Sequence, residues 1–223
     1  ALAFEQIIAQ AHPLASTAIE VIEGGRKVAG SATFQAGLVE LQDVASQAVV
    51  ETLALRKGQR ILDYCAGGGG KALALAALAD SAVDAWDSDA ARMQDIAKRA
   101  ERAGADITCL TEKPIGQYDI VLCDVPCSGS GAWRRAPQGK WLLTSERLTQ
   151  LGNVQGDILQ QAARLVSPGG VLVYTTCSLL AQENMDQLAK FTEATPGWIC
   201  DFSRQFLPIE GGDGFFVGHL RSV

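Results

Sequence analysis

Apolar positions along this chain fall into two rhythms. From Gln42 to Leu55 the residues Val44, Ala45, Ala48, Val49 and Leu53 follow a helical period, which Lys57-Gly58 closes. Beyond it, short unbroken apolar runs alternate with helical stretches. Ile61 to Tyr64 predicts a strand and the alanine-leucine stretch to Leu78 a helix. "AVDAWD" predicts the next strand and Ala90 to Ala103 the next helix. "DITCL" and "YDIVLCD" predict two strands joined by a short connection through Pro114. Thr144 to Val166 predicts a long helix ended by "SPGG", followed by a strand over Val171 to Thr176, a helix over Glu183 to Ala194 and an edge strand within "GDGFFVGHL".

Upstream, Phe4 to Ala11 has helical apolar spacing that Pro13 interrupts, and Gly24-Gly25 marks a turn. Residues 1–32 are expected to be the tail of a preceding module and linker, and residues 33–223 one domain. Strands separated by helices imply an α/β architecture: a mostly parallel sheet with helices on both faces.

Composition narrows the class. With 223 residues, 48% of them hydrophobic, the chain can bury one sizeable core. A formal net charge of -6 argues against a free-standing nucleic-acid binder, unless a basic region is contributed from elsewhere. No apolar run reaches the ~20 residues a membrane span needs, so a cytoplasmic, membrane-free protein is expected. Six cysteines spread over a chain with its own core predict reduced thiols rather than a disulfide framework. Cys123 and Cys127 are spaced C-x-x-x-C, but His12 and His219 lie at opposite ends of the chain, so no metal site is expected.

In a doubly wound sheet, ligands bind beyond the carboxyl ends of the strands. "DYCAGGGGK" sits at such an end, and Gly67 to Gly70 allow close backbone approach. The spacing matches neither the dinucleotide fingerprint nor the phosphate loop, and Lys71 is followed by Ala72 rather than a hydroxyl residue. Asp87 lies about 20 residues beyond the loop, where a carboxylate accepts from ribose hydroxyls in dinucleotide and S-adenosylmethionine enzymes alike. Asp89 suits a cap of the following helix. Cys127 and Cys177 each close a strand among small residues, while Cys109, Cys123 and Cys200 suit core positions. The loop "SGAWRRAPQGKW" interleaves Arg134, Arg135 and Lys140 with Trp133 and Trp141, a composition suited to unpaired RNA.

Taken together, "FQAGLVELQDVASQ", "LDYCAGGGGK", "DVPCSGSG", "RRAPQGKW", "LTQLGNVQGDILQQAARLVSPGG", "VYTTCSL", "QEN" and "GDGFFV" resemble the Nop/Sun family of RNA cytosine-5 methyltransferases over residues 33 to 221. The chain departs from the family at Ala66-Gly67-Gly68, where the turn-stiffening proline is absent, and at Thr111 and Glu112, where the family often has an aspartate near the adenine.

The resemblance implies a Rossmann-like S-adenosylmethionine-dependent methyltransferase fold with a seven-stranded sheet. It implies methylation of carbon 5 of cytosine in RNA, with ribosomal RNA as the leading substrate and transfer RNA as the rival; separately from the resemblance, a monomer is expected. Carbon 5 is too weakly nucleophilic to accept a methyl group until a thiolate has added at carbon 6. By resemblance Cys177 is that nucleophile and Cys127 assists release of product. Asp124 would bond the base edge near N3, and Lys71 would favour the thiolate. The implied cofactor site comprises Cys65, Ala66, Gly67, Gly68, Gly69, Gly70, Lys71, Asp87, Arg92 and Asp124, and the implied RNA contacts are Arg134, Arg135 and Lys140. Three other readings remain: a DNA-type enzyme using Cys127 as nucleophile, a non-catalytic RNA- or cofactor-binding assembly factor, and a nicotinamide dehydrogenase.

Overall fold

A computed structural model describes all 223 residues. Seven strands form one sheet, ordered across it as Ile107–Cys109, Val83–Ala85, Ile61–Asp63, Tyr118–Asp124, Val166–Thr176, Phe215–Ser222 and Trp198–Phe206. Five of them, β3 (Ile61–Asp63), β4 (Val83–Ala85), β5 (Ile107–Cys109), β6 (Tyr118–Asp124) and β7 (Val166–Thr176), run parallel. β9 (Phe215–Ser222) pairs antiparallel between β7 and β8 (Trp198–Phe206). β9 is therefore an interior strand and not the edge expected from its sequence. The edge is β8, whose mostly exposed, polar-interrupted run "WICDFSRQF" carries no strand rhythm of its own.

Successive strand residues point to opposite faces, and the core divides accordingly. Ile61, Ile120, Leu122, Val171, Val173 and Val217 pack with α2 (Val44–Glu51), α3 (Gly70–Ala79) and Ile96 of α4 (Ile96–Ala103). Their neighbours Leu62, Val121, Cys123, Leu172, Tyr174 and Phe216 pack on the other face with α6 (Ser145–Ala163) and α7 (Met185–Ala194). Fully burying each Leu or Val side chain contributes ~1.5–3 kcal/mol, so the two-sided apolar runs commit these strands to the sheet centre.

Local signals set the helix ends. Asp43 caps α2 by accepting from the Ala45 N–H, and Thr144 caps α6 by accepting from the Arg147 N–H. Asp89 accepts from the Ala91 N–H, the expected cap, but the helix it starts is broken: a 3-10 turn over Ala90–Met93 precedes α4, and Met93 and Ile96 both enter the core across the break. α6 stops at Ala163, short of the expected Val166. "SPGG" is not a linker but part of β7, which slips register opposite Tyr118 and Ile120 and turns through Gly169 at φ 78°.

The expected helix over Phe4 to Ala11 does not form. A 3-10 turn covers Leu2–Glu5, and β1 (Ile8–Ala11) pairs antiparallel with β2 (Ile19–Glu23). Below this hairpin, Ala15 and Ala18 join the core beside α2, and the Glu51 carboxylate accepts from the Ser16 N–H and hydroxyl. The Glu5 carboxylate accepts from the first N–H groups of α1 (Ala32–Gln35). The short, exposed α5 (Gln138–Leu142) lies in the loop between β6 and α6.

Candidate active site

The carboxyl ends of β3, β6 and β7 open onto a cleft of about 280 Å³. Of the residues singled out in the sequence, Cys65, Ala66, Gly67, Gly68, Gly70, Lys71, Arg92, Asp124, Arg135 and Cys177 line it. Gly69 turns the loop instead. At φ 79° it begins α3, and a Cβ there would meet the Ile96 side chain at 2.8 Å, so only glycine fits the turn. Asp87 lies beneath the loop. Its Oδ2 accepts from the Gly67 N–H at 2.9 Å and pairs with Arg92 at 3.0 Å, and its Oδ1 accepts from the Asp89 N–H.

β6 and β7 are hydrogen-bonded neighbours, and Asp124 is the partner of Thr175. Both chains leave the sheet at the same level, bringing Cys127 Sγ to 3.5 Å from Cys177 Sγ. The Cys127 S–H donating to the Cys177 sulfur holds Cys177 below the ordinary thiol range; burial and the Asp124 charge oppose this, and Lys71 assists it. The same hydrogen bond, together with burial, pushes Cys127 well above that range. Lys71 Nζ donates to Asp124 Oδ2 at 2.6 Å and lies 4.8 Å from the centre of the Phe215 ring.

Four groups at or beside the cleft were not singled out from the sequence. Asp63, at the end of β3, lines the cleft fully buried, and neither carboxylate oxygen has a hydrogen-bond partner. Burial, then repulsion from Asp124, pushes its carboxyl up to about 7, against the opposing charge of Lys71 and the Ala72 N–H, which faces the carboxyl outside good hydrogen-bond geometry. Asp213 is buried and receives both Arg134 (Nε at 3.0 Å) and Arg135. Burial pushes its carboxyl upward, but the two arginines override this and hold it below the usual carboxylate range. Glu183 is buried between the two cysteine loops. Phe215 follows Gly214, which lies so close to Gly131 that a Cβ on Gly131 would sit 1.9 Å from the Gly214 carbonyl. All four fall inside the quoted motifs, Glu183 within "QEN", but nothing in spacing separates a buried charge from a cap. Lys140 and Trp141 lie outside the cleft, Trp141 being 81% exposed.

Residues 50–221 match the family model described as 16S rRNA methyltransferase RsmB/F. The chain belongs to the RsmB/F family. A ribosomal RNA small subunit methyltransferase B from Proteus mirabilis is 37% identical over 198 residues, covering 84% of this chain and 47% of that protein. The chain thus spans about half the length of the curated relatives it matches. Among solved structures, a methyltransferase homologue from Pyrococcus horikoshii shares 21% identity at a TM-score of 0.85, covering all of this chain and 80% of that one. NSun6 from the same organism, solved with SFG, shares 22% identity at a TM-score of 0.79, covering 92% of this chain and 59% of that one. These structural likenesses establish the Rossmann-like methyltransferase fold for this RsmB/F member. No helix is long and apolar enough to cross a membrane.

Proposed function

We propose that this chain is the catalytic portion of an S-adenosylmethionine-dependent enzyme that methylates carbon 5 of a cytosine in ribosomal RNA through a covalent bond from Cys177. The observation that carries the reading is the contact between the Cys127 and Cys177 sulfurs beside the cleft, with Cys177 as the member held toward thiolate. Family membership and the RNA methyltransferase relatives support the same activity.

The cleft residues fit the cofactor. The buried Asp63 carboxyl, pushed up to about 7, favours a cationic group arriving beside it, and the glycine turn leaves backbone open to a nucleoside. Asp63, Gly67, Gly68, Gly70, Lys71, Arg92 and Asp124 would hold it, with Asp87 bracing the loop. S-adenosylmethionine supplies an electrophilic methyl group on a sulfonium, and the bound SFG of the NSun6 structure, an analogue of it, supports this assignment.

Cys177 then adds its thiolate to carbon 6 of the cytosine, and the ring electrons shift toward carbon 5. Asp124 Oδ2 is engaged by Lys71, which leaves Oδ1 to accept from the exocyclic amino group on the base edge beside N3 and so orient the ring toward the Cys177 sulfur. After methyl transfer the carbon 5 proton passes to solvent, its bonding electrons restore the carbon 5–carbon 6 double bond, and the carbon 6–sulfur bond breaks with its electron pair on Cys177. The S–H of Cys127, placed against that sulfur, stabilises the departing thiolate. Arg134 and Arg135, anchored on Asp213 yet 49% and 62% exposed, present charge to the RNA together with Lys140, and Trp141 offers a face for an unpaired base. Residues 1–32 would belong to a preceding RNA-binding region, residues 33–223 to the catalytic domain, and the protein would act as a cytoplasmic monomer.

The test is transfer of labelled methyl from the cofactor to unmodified ribosomal RNA by the full-length protein, with the product mapped as 5-methylcytosine. Cys177→Ala should abolish transfer at least 1000-fold. Methylation that survives Cys177→Ala but not Cys127→Ala would reverse the assignment.

A further inference from the structure

We propose that Glu183 is a positioning residue: its buried carboxylate ties the residue after Cys127 to the residue after Cys177 and so holds the two sulfurs in register for product release. The inference rests on the activity proposed above.

Glu183 is fully buried and forms no salt bridge; four hydrogen bonds surround it instead. Oε1 accepts from the Ser128 N–H at 2.8 Å and from Gln155 Nε2 at 3.1 Å. Oε2 accepts from the Ser178 hydroxyl at 2.6 Å and from the Ser128 hydroxyl. A carboxylate accepts only, and here all four positions are used by donors from three separate segments. Burying such a charge is expensive unless it is bonded in this way, so its presence at this point calls for a reason other than packing.

The geometry supplies one. The two cysteine loops have unequal support. The Cys177 end is also fixed by Asn184 donating to the Ser178 carbonyl, by the Gly131 N–H donating to the Cys177 carbonyl, and by the Ser130 hydroxyl accepting from the Leu179 N–H. Gly131 and Ser130 lie beyond Gly129, which turns at φ 67°, so they hold the far end of the first loop and not Cys127 itself. On the Cys127 side, the Ser128 N–H has Glu183 as its acceptor, and the preceding Pro126 carbonyl is held by Gln155, which is itself bonded to Glu183. The Glu183 turn is in turn fixed to β7 by the Tyr174 hydroxyl donating to its carbonyl at 2.6 Å. Loss of the carboxylate therefore frees Cys127 more than Cys177. Attack persists and release slows, so Glu183→Gln behaves as a weakened form of Cys127→Ala. The amide preserves shape but turns one edge from acceptor to donor against groups that are themselves donors.

The experiment uses full-length protein with S-adenosylmethionine and unmodified ribosomal RNA, and measures covalent protein–RNA complex that survives denaturation. Glu183→Gln should accumulate several-fold more complex per methylated product than wild type, and less than Cys127→Ala. A loss of folded protein lowers both quantities together and leaves that ratio unmoved. In parallel, without RNA, a short dithiol-bridging reagent should link Cys127 to Cys177 several-fold more slowly in Glu183→Gln. If Glu183→Gln does not fold, Ser128→Ala removes one of the four bonds and should shift both readouts in the same direction by about twofold. Wild-type bridging and a wild-type complex ratio, with Cys127→Ala trapping RNA normally, would overturn the role of Glu183. If Cys127→Ala traps nothing and wild type does not methylate, the proposed activity has failed, and the bridging rate alone decides whether Glu183 holds the sulfurs together.

Discussion

Cys127 Sγ and Cys177 Sγ lie 3.5 Å apart although 50 positions separate them in the chain. One proton lies between the two sulfurs: the hydrogen bond from Cys127 lowers Cys177 against burial and the Asp124 charge, with Lys71 assisting, while the same bond and burial, and last the Glu183 charge, push Cys127 up. The pair therefore rests with Cys177 toward thiolate and Cys127 protonated, the arrangement needed before attack on a base.

This asymmetry predicts a pH profile. Alkylation of Cys177 by iodoacetamide should have its midpoint below that of an ordinary thiol. Cys127→Ala removes the donor and should raise that midpoint by about one unit, a differential of ~1.4 kcal/mol between the two charge states. Rates measured by mass spectrometry between pH 5 and pH 10 decide it; an unmoved midpoint would mean that the hydrogen bond does not set the thiolate.

Asp63 predicts an exchange of stability for binding. Its folded value, about 7, lies above the ordinary 3.8, so the folded protein holds the extra proton between these limits. The stability associated with that proton is present below 3.8 and is lost as pH rises through about 7. Asp63→Asn should melt higher than wild type at pH 8 by a few degrees, on the order of 1–3 kcal/mol, and the advantage should vanish toward pH 4. The same variant should bind S-adenosylmethionine at least tenfold more weakly by calorimetry. A variant that gains stability and keeps its affinity would show that Asp63 does not meet the cofactor.

Arg135 divides its charge between Asp213 and solvent. Arg135→Ala should lower the slope of log affinity against log salt for unpaired RNA by about 0.7, the value for one cation on a single strand. It also leaves Asp213 with Arg134 alone, which should cost about 1–3 kcal/mol of stability. Filter binding across a salt series checks the first effect and urea unfolding the second. An unchanged slope would confine Arg135 to holding Asp213.

His219 predicts acid sensitivity at the opposite end of the sheet. Burial pushes it down to about 4 from 6.5, with Asp201 opposing and Arg221 adding to the shift, while Thr52 Oγ1 lies 2.9 Å from its Nε2. Between these values the unfolded chain binds the proton more readily, so stability should fall as pH drops from about 6.5 to about 4. The loss is at most about 3 kcal/mol, and less as water reaches the ring. Denaturant midpoints of wild type and His219→Gln should converge across that window.

The chain's own pattern determined the central strands and the positions of chemical interest. Ile61 to Asp63, Tyr118 to Asp124 and Val171 to Thr176 are apolar on both faces, and a run that must be buried on both sides has few places to go but the middle of a sheet. Glycines at positive φ and cysteines after such strands are likewise local facts, readable one residue at a time. What the sequence left open is whatever depends on a partner far away. β8 and the β1–β2 hairpin are exposed and irregular, and they are strands only because another strand bonds to them. Phe4, Ile7, Ile8 and Ala11 have helical spacing, yet pairing of Ile8 to Ala11 with Ile19 to Glu23 overrides it. The same reason hides Asp63, Glu183 and Asp213. A carboxylate is an ordinary polar letter in the sequence, and it becomes an unpaired charge, a clamp or an arginine anchor only when the fold removes water and supplies or withholds its partners.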